Sequence, residues 1–80
     1  MKIVLVTWRD IVGKFGWHSQ NNLDNFISDK GEGIFHQVGY LYEEDDDQIV
    51  LVDSYAADKQ QWGTIHRIPR GVIISMKCLK

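Results

Sequence analysis

Lys2 to Arg9 is largely apolar on both of its alternating faces, and this stretch most limits what the chain can fold into. In an extended segment Ile3, Leu5 and Thr7 point one way, and Val4, Val6 and Trp8 the other. A strand of that kind needs a cover on each side, from a helix or from another subunit. Gly13 and Gly16 interrupt the pattern within Asp10 to Gly16.

A short helix follows. Ser19 or Asn21 supplies its cap, Leu23, Phe26 and Ile27 form one apolar stripe, and Gly31 and Gly33 end it. The remainder reads as an antiparallel meander. Phe35 to Tyr42 is a strand with Val38, Tyr40 and Tyr42 on one face, and Glu43 to Asp47 is the turn. Gln48 to Tyr55 is the next strand, and Ala56 to Gln61 is a polar loop. Trp62 to Ile68 follows, with Trp62, Thr64, His66 and Ile68 facing away from Gly63, Ile65 and Arg67. Pro69-Arg70-Gly71 turns the chain into a last strand, Val72 to Cys78. One helix and five short strands predict a mainly β (α+β) fold over residues 1–80 as a single domain. The expected form is a small five-stranded barrel, closed or partly open, with the helix between strands 1 and 2.

A chain of 80 residues is short enough for size to matter energetically. Such a domain buries only roughly 60% of its unfolded surface, so stability is marginal without staples. Cys78 is the single cysteine and cannot form an internal disulfide. Homo-oligomerisation is the remaining common source of stability, and a reducing cytoplasm is the expected location. No apolar run approaches the ~20 residues of a membrane-spanning helix, so no membrane partner is expected.

The net charge of −2 conceals an uneven distribution. Five consecutive acids, Glu43 to Asp47, supply nearly half of the 11 carboxylates. Lys59 to Lys80 holds Lys59, Arg67, Arg70, Lys77 and Lys80 and no acid. One turn is therefore acidic and the C-terminal part basic, which suits phosphate or an acidic protein surface.

Val38-Gly39-Tyr40-Leu41, Asp46-Asp47-Gln48-Ile49-Val50-Leu51 and Ile68-Pro69-Arg70-Gly71-Val72-Ile73 together resemble the Sm-like branch of SH3-like barrels. That resemblance implies an SH3/Sm-like barrel and ring-like assembly. The family's RNA-contacting Asn falls at Val50, whose side chain cannot hydrogen-bond a base, and Pro69 stands between Ile68 and Arg70. Over most of its length the chain also resembles a loose group of small phage-encoded proteins. The likeness lies in Val6-Thr7-Trp8-Arg9-Asp10, Gly16-Trp17, the short helix, the Val38-Gly39-Tyr40-Leu41 strand, the acidic turn and Ile68 to Ile73. It implies an accessory viral protein that counters host defence, by sequestering a nucleotide messenger or by binding a defence enzyme.

The residues themselves favour binding over catalysis. His18, His36, His66, Ser19, Ser54, Ser75 and Cys78 lie in no nucleophile signature. Gly31-Glu32-Gly33-Ile34-Phe35-His36 places His36 where a dinucleotide fingerprint needs a small residue, and it precedes a strand. The acidic run lacks the glycine and the alternate spacing of a Ca²⁺ loop, and the histidines lack zinc-ligand spacing. No metal or cofactor is expected.

Trp8, Trp17 and Trp62 are many tryptophans for this length, and each has polar or cationic residues nearby. A nucleotide needs both parts, an aromatic face for its base and forked donors for its phosphate. Trp8, Arg9, Trp17, His18, Trp62, His66, Arg67 and Arg70 are the candidate ligand-binding residues. Trp8 and Trp62 also fit as core or interface residues, whereas Trp17 lies in a loop. The reading that follows is a homo-oligomer holding a small nucleotide ligand at subunit interfaces. The alternatives are an anti-CRISPR-like inhibitor that presents Glu43 to Asp47 to a host defence protein, and an Sm-type ring on nucleic acid.

Overall fold

The computed structural model describes residues 1–80 and is mainly β. Its elements are β1 (Lys2–Arg9), α1 (Gln20–Ser28), β2 (Ile34–Glu44), β3 (Gln48–Val52), β4 (Tyr55–Ala56), β5 (Gln61–Trp62), β6 (Ile65–Pro69) and β7 (Ile73–Cys78), with a 3-10 turn at Arg70–Val72. Five strands form one antiparallel sheet in the order β6-β3-β2-β1-β7, so the last strand lies beside the first. β6 and β7 are its two edges and are not paired with each other. The sheet is therefore open rather than a closed barrel.

The core lies on one face, where Val4 and Val6 of β1 meet Ile49 and Leu51 of β3 and Ile68 of β6. Trp8, Leu41, Val72, Ile73 and Met76 pack around them. β2 runs between β1 and β3, and its Gly39 pairs with Val4. A Cβ at Gly39 would stand 3.2 Å from the Val52 carbonyl oxygen and 3.4 Å from Leu51 Cβ. The missing side chain allows β1 and β3 to share one core across the intervening strand, and it allows the sheet to curl.

Two bulges shape the sheet. In β2 the register steps between Leu41 and Glu43, leaving Tyr42 as the extra residue. Between β1 and β7, Thr7 pairs with Ser75 and Trp8 with Ile73, leaving Ile74 extra. Bulges twist a strand and re-aim the side chains beside them.

The strand expected from Gln48 to Tyr55 is divided into β3 and β4, and that from Trp62 to Ile68 into β5 and β6. The register is nevertheless unbroken. Gln48 to Val52 pair with Pro69 to Ile65, and Tyr55 and Ala56 continue with Trp62 and Gln61. Between the two ladders the Asp53 N–H donates to the Thr64 carbonyl and the Gly63 N–H to the Ser54 carbonyl. The Ser54 hydroxyl turns instead to Asp53 Oδ1, at 2.8 Å. Gly63 packs so closely that a Cβ there would collide with Ser54 Oγ. The result is one long hairpin with a kink, and the kink carries Trp62 to the side of Ile65, correcting the strict alternation read from the sequence.

The helix begins where Ser19 accepts the Asn22 N–H, at 3.1 Å. It ends at Ser28, with Asp29 rather than Gly31 as its cap. It covers neither face of β1. None of its residues is buried, and the close packing between elements is all strand on strand. Ile11, Phe15 and Trp17, in the segment leading to it, are exposed, the last two fully. Residues 11–32 thus form an arm, rooted where the Asp10 N–H donates to the Gly33 carbonyl at 2.8 Å. The molecule measures 56 × 23 × 20 Å. No helix is long and apolar enough to cross a membrane.

Candidate ligand-binding site

The face opposite the core carries the best-formed aromatic site. Val50 and Val52 point to it from β3, and Ile65 from β6. Trp62 reaches it because of the hairpin kink, and Tyr42 because strand alternation puts it on the same face as Val38 and Tyr40. The indole of Trp62 meets Tyr42 edge-on, with ring centres 5.1 Å apart, and leans against Tyr55 at 4.3 Å. Tyr42, Val50, Val52, Trp62 and Ile65 line a cavity of about 210 Å³. That is smaller than the roughly 300–1,000 Å³ of a complete small-molecule site. It has room for one ring of a ligand, and the rest would lie outside.

Arg67 is not part of the lining but neighbours it on the same sheet face. It pairs with Val50 in the ladder and lies two residues from Ile65 on the same strand face. Its guanidinium has no carboxylate at ion-pair distance, since the one ion pair of the chain joins Arg70 to Glu44. Glu43 also pairs with Val50, from the far side, so a single acid shares the row with this cation.

The core face holds a different group. Trp8 stacks on Phe35, with ring centres 4.9 Å apart, and its Nε1–H donates to Gln37 Oε1 at 3.1 Å. Gln37 Nε2 in turn lies 2.8 Å from His66 Nδ1. Trp8 and His66 are thereby joined through Gln37, and both are engaged within the fold. Arg9 is exposed at the end of β1, beside the shallow groove of Ile11, Val72 and Ile73.

The other candidates lie elsewhere. Trp17 and His18 are on the arm, where His18 borders a small hollow with Lys14, Leu23 and Phe26. Arg70 is held by the acidic turn. Its Nη2 donates to Glu44 Oε2 at 3.0 Å and its Nε to the Asp45 carbonyl at 2.9 Å. Asp45 is itself occupied, its Oδ1 accepting the N–H groups of Asp47 and Gln48. Glu43 and Glu44, expected in the turn, are the last two residues of β2 and pair with β3.

Within one chain the eight candidates therefore fall into four places. Trp62 lines the outer cavity and Arg67 lies beside it on the same sheet face; Trp8, His66 and Arg9 belong to the core face and its margin; Trp17 and His18 are on the arm; Arg70 locks the turn. Sequence reading missed Tyr42, Tyr55, Val50, Val52 and Ile65 as site residues. The signal for Tyr55 was present, because it sits opposite Trp62 once the hairpin is read as continuous. Comparison with protein families, with curated proteins and with solved structures finds no match.

Proposed function

We propose that this chain is a non-catalytic, phage-encoded antagonist of host antiviral defence. It acts in the host cytoplasm as a homo-oligomer that sequesters a nucleotide-derived signal. The observation that carries the binding part is the outer cavity, with an aromatic wall at Trp62 and Arg67, free of any ion pair, next to the lining on the same sheet face. A base stacked on an aromatic ring gains ~1–3 kcal/mol, and the forked donors of Arg suit a phosphate. The small volume of the cavity favours a site completed by a second copy. The viral origin rests on the sequence resemblance alone.

The SH3/Sm-like reading of the fold is part of the same proposal. It is supported by where the motif residues fall. Val38 to Leu41 lie on β2 around the glycine that lets the sheet curl. Ile68 to Ile73 span the end of β6, the 3-10 turn and the start of β7.

Thermal unfolding with a panel of cyclic dinucleotides and cyclic ADP-ribose isomers tests the function. A bound ligand at a hundredfold excess over Kd adds ~2.7 kcal/mol of stability. The shift should vanish in Trp62→Ala and in Arg67→Ala. A melting temperature that no member of the panel moves overturns the nucleotide reading.

A further inference from the structure

The chain exposes 6369 Å². A compact monomer of 9.3 kDa would expose about 5,000 Å². Its radius of gyration is 16.7 Å, against about 12 Å for a compact domain of this length. The excess surface, about 1,400 Å², exceeds the ~800 Å² that each partner buries in a standard protein interface. Two features account for it, the arm of residues 11–32 and the apolar face of the sheet.

On that face two cross-strand rows lie side by side. Ile3, Tyr40, Val52 and Ile65 form one row across β1, β2, β3 and β6, and Leu5 and Val38 form the other. Val38 and Ile65 are more than half exposed. Lys77 of β7 pairs with Leu5 and closes the second row with a positive charge. The helix of the arm presents the complement. Leu23 and Ile27 are exposed on it, and Asp24 and the cap Asp29 are its only charges. A helix of nine residues is about 14 Å long, the distance spanned by four adjacent strands.

We propose that the arm is an exchanged element: α1 of each copy seats on the apolar sheet face of a second copy, with Asp24 toward Lys77, in a reciprocal dimer. This deepens the assembly named above and rests on that part of the reading alone. Charge and apolar pattern match between arm and face, and the excess area is what a stable dimer needs. The seated helix also covers Ile65, the exposed residue of the Trp62 cavity lining, whereas Val52 is already buried within the single chain.

Sedimentation of the full chain, without nucleotide, tests the contact. The wild type should run at twice the chain mass. Ile27→Glu on the arm and Val38→Glu on the face should each run as monomers, since both side chains are exposed in the single chain and the sheet survives. Mixed together they should recover a dimer, because one of the two arm–face contacts is intact in the mixed pair. As a control on folding, Lys77→Glu should weaken the dimer and Asp24→Lys with Lys77→Glu should restore it. A wild-type monomer, a dimer indifferent to Ile27→Glu, or a double charge swap weaker than the single one overturns the proposal. A chain that dimerises through the arm yet ignores every nucleotide overturns only the ligand reading.

Discussion

Gln37 Nε2 lies 2.8 Å from His66 Nδ1, which ties β2 to β6 across the strand between them. The direction of this hydrogen bond follows from its neighbour. Gln37 Oε1 already accepts the Trp8 indole N–H, so the amide nitrogen donates and His66 Nδ1 accepts. A neutral His66 then carries its proton on Nε2. The ordinary sequence spacing of Trp8, Gln37 and His66 gives no hint of this relay.

Replacing Gln37 by Leu should leave the half-buried Trp8 N–H and the exposed His66 Nδ1 without their protein partner. The expected cost is about 1 kcal/mol. Urea unfolding followed by tryptophan emission reads it. A midpoint unchanged from the wild type would mean that water takes over both hydrogen bonds.

A branched side chain at Gly39 should be costly. A Cβ there meets the Val52 carbonyl oxygen and Leu51 Cβ at 3.2 and 3.4 Å. Gly39→Val adds two further methyl groups to this crowding. Overpacking of that kind costs about 1–3 kcal/mol. Gly71→Ala is the control, because a Cβ at Gly71 meets nothing within 4 Å. Equal unfolding midpoints for the two variants would sink the claim that Gly39 lets β1 and β3 share a core.

Much of the fold was legible because strand signals are local. Lys2 to Arg9 alternates along its whole length and forms β1 with those bounds. Ser19 is the helix cap because its hydroxyl reaches a free N–H three residues on, a relation fixed within one turn of chain. What stayed hidden depends on contacts between distant segments. Alternation alone puts Trp62 with His66, and only the kink at Ser54 and Gly63 moves it beside Ile65. Arg70 looked available for phosphate, but Glu44 and the Asp45 carbonyl claim it once β2 and the 3-10 turn meet. The helix stripe of Leu23, Phe26 and Ile27 was readable, but periodicity does not say which surface it covers.

The two C-terminal arginines should therefore separate cleanly. Arg70→Gln removes a partly exposed ion pair with Glu44 and a hydrogen bond to the turn. Exposed pairs are worth about 0.2–1 kcal/mol, so a small loss of stability is expected. Binding of a nucleotide at the outer cavity should be unaffected. Arg67→Gln should do the reverse, weakening binding while leaving stability within about 0.5 kcal/mol of the wild type. Ligand titration and urea unfolding of both variants check this. Equal losses of affinity would place Arg70 back in the site.

The helix gives the last test. Nine residues are too few for a stable helix in water, since isolated helices shorter than about 12–15 residues are marginal. In a lone chain α1 is held by local contacts alone, among them its Ser19 cap, the Gln20–Asp24 and Ser28–Asp24 hydrogen bonds, the Asp29 N–H on the Phe26 carbonyl and the Lys14 ammonium 5.8 Å from the Phe26 ring. Docking on a second copy would supply the missing stabilisation. Helical circular dichroism should then rise with protein concentration, while the sheet signal stays constant. Ser19→Ala should lower that helical signal and raise the dimer dissociation constant by about fivefold for each docked arm, the equivalent of a cap worth ~1 kcal/mol. The amides of Leu23 to Ile27 should exchange slowly only where the dimer is populated. A helix equally protected at every concentration would show that the arm holds its structure without a neighbour, and the coupling between folding of α1 and association would be refuted.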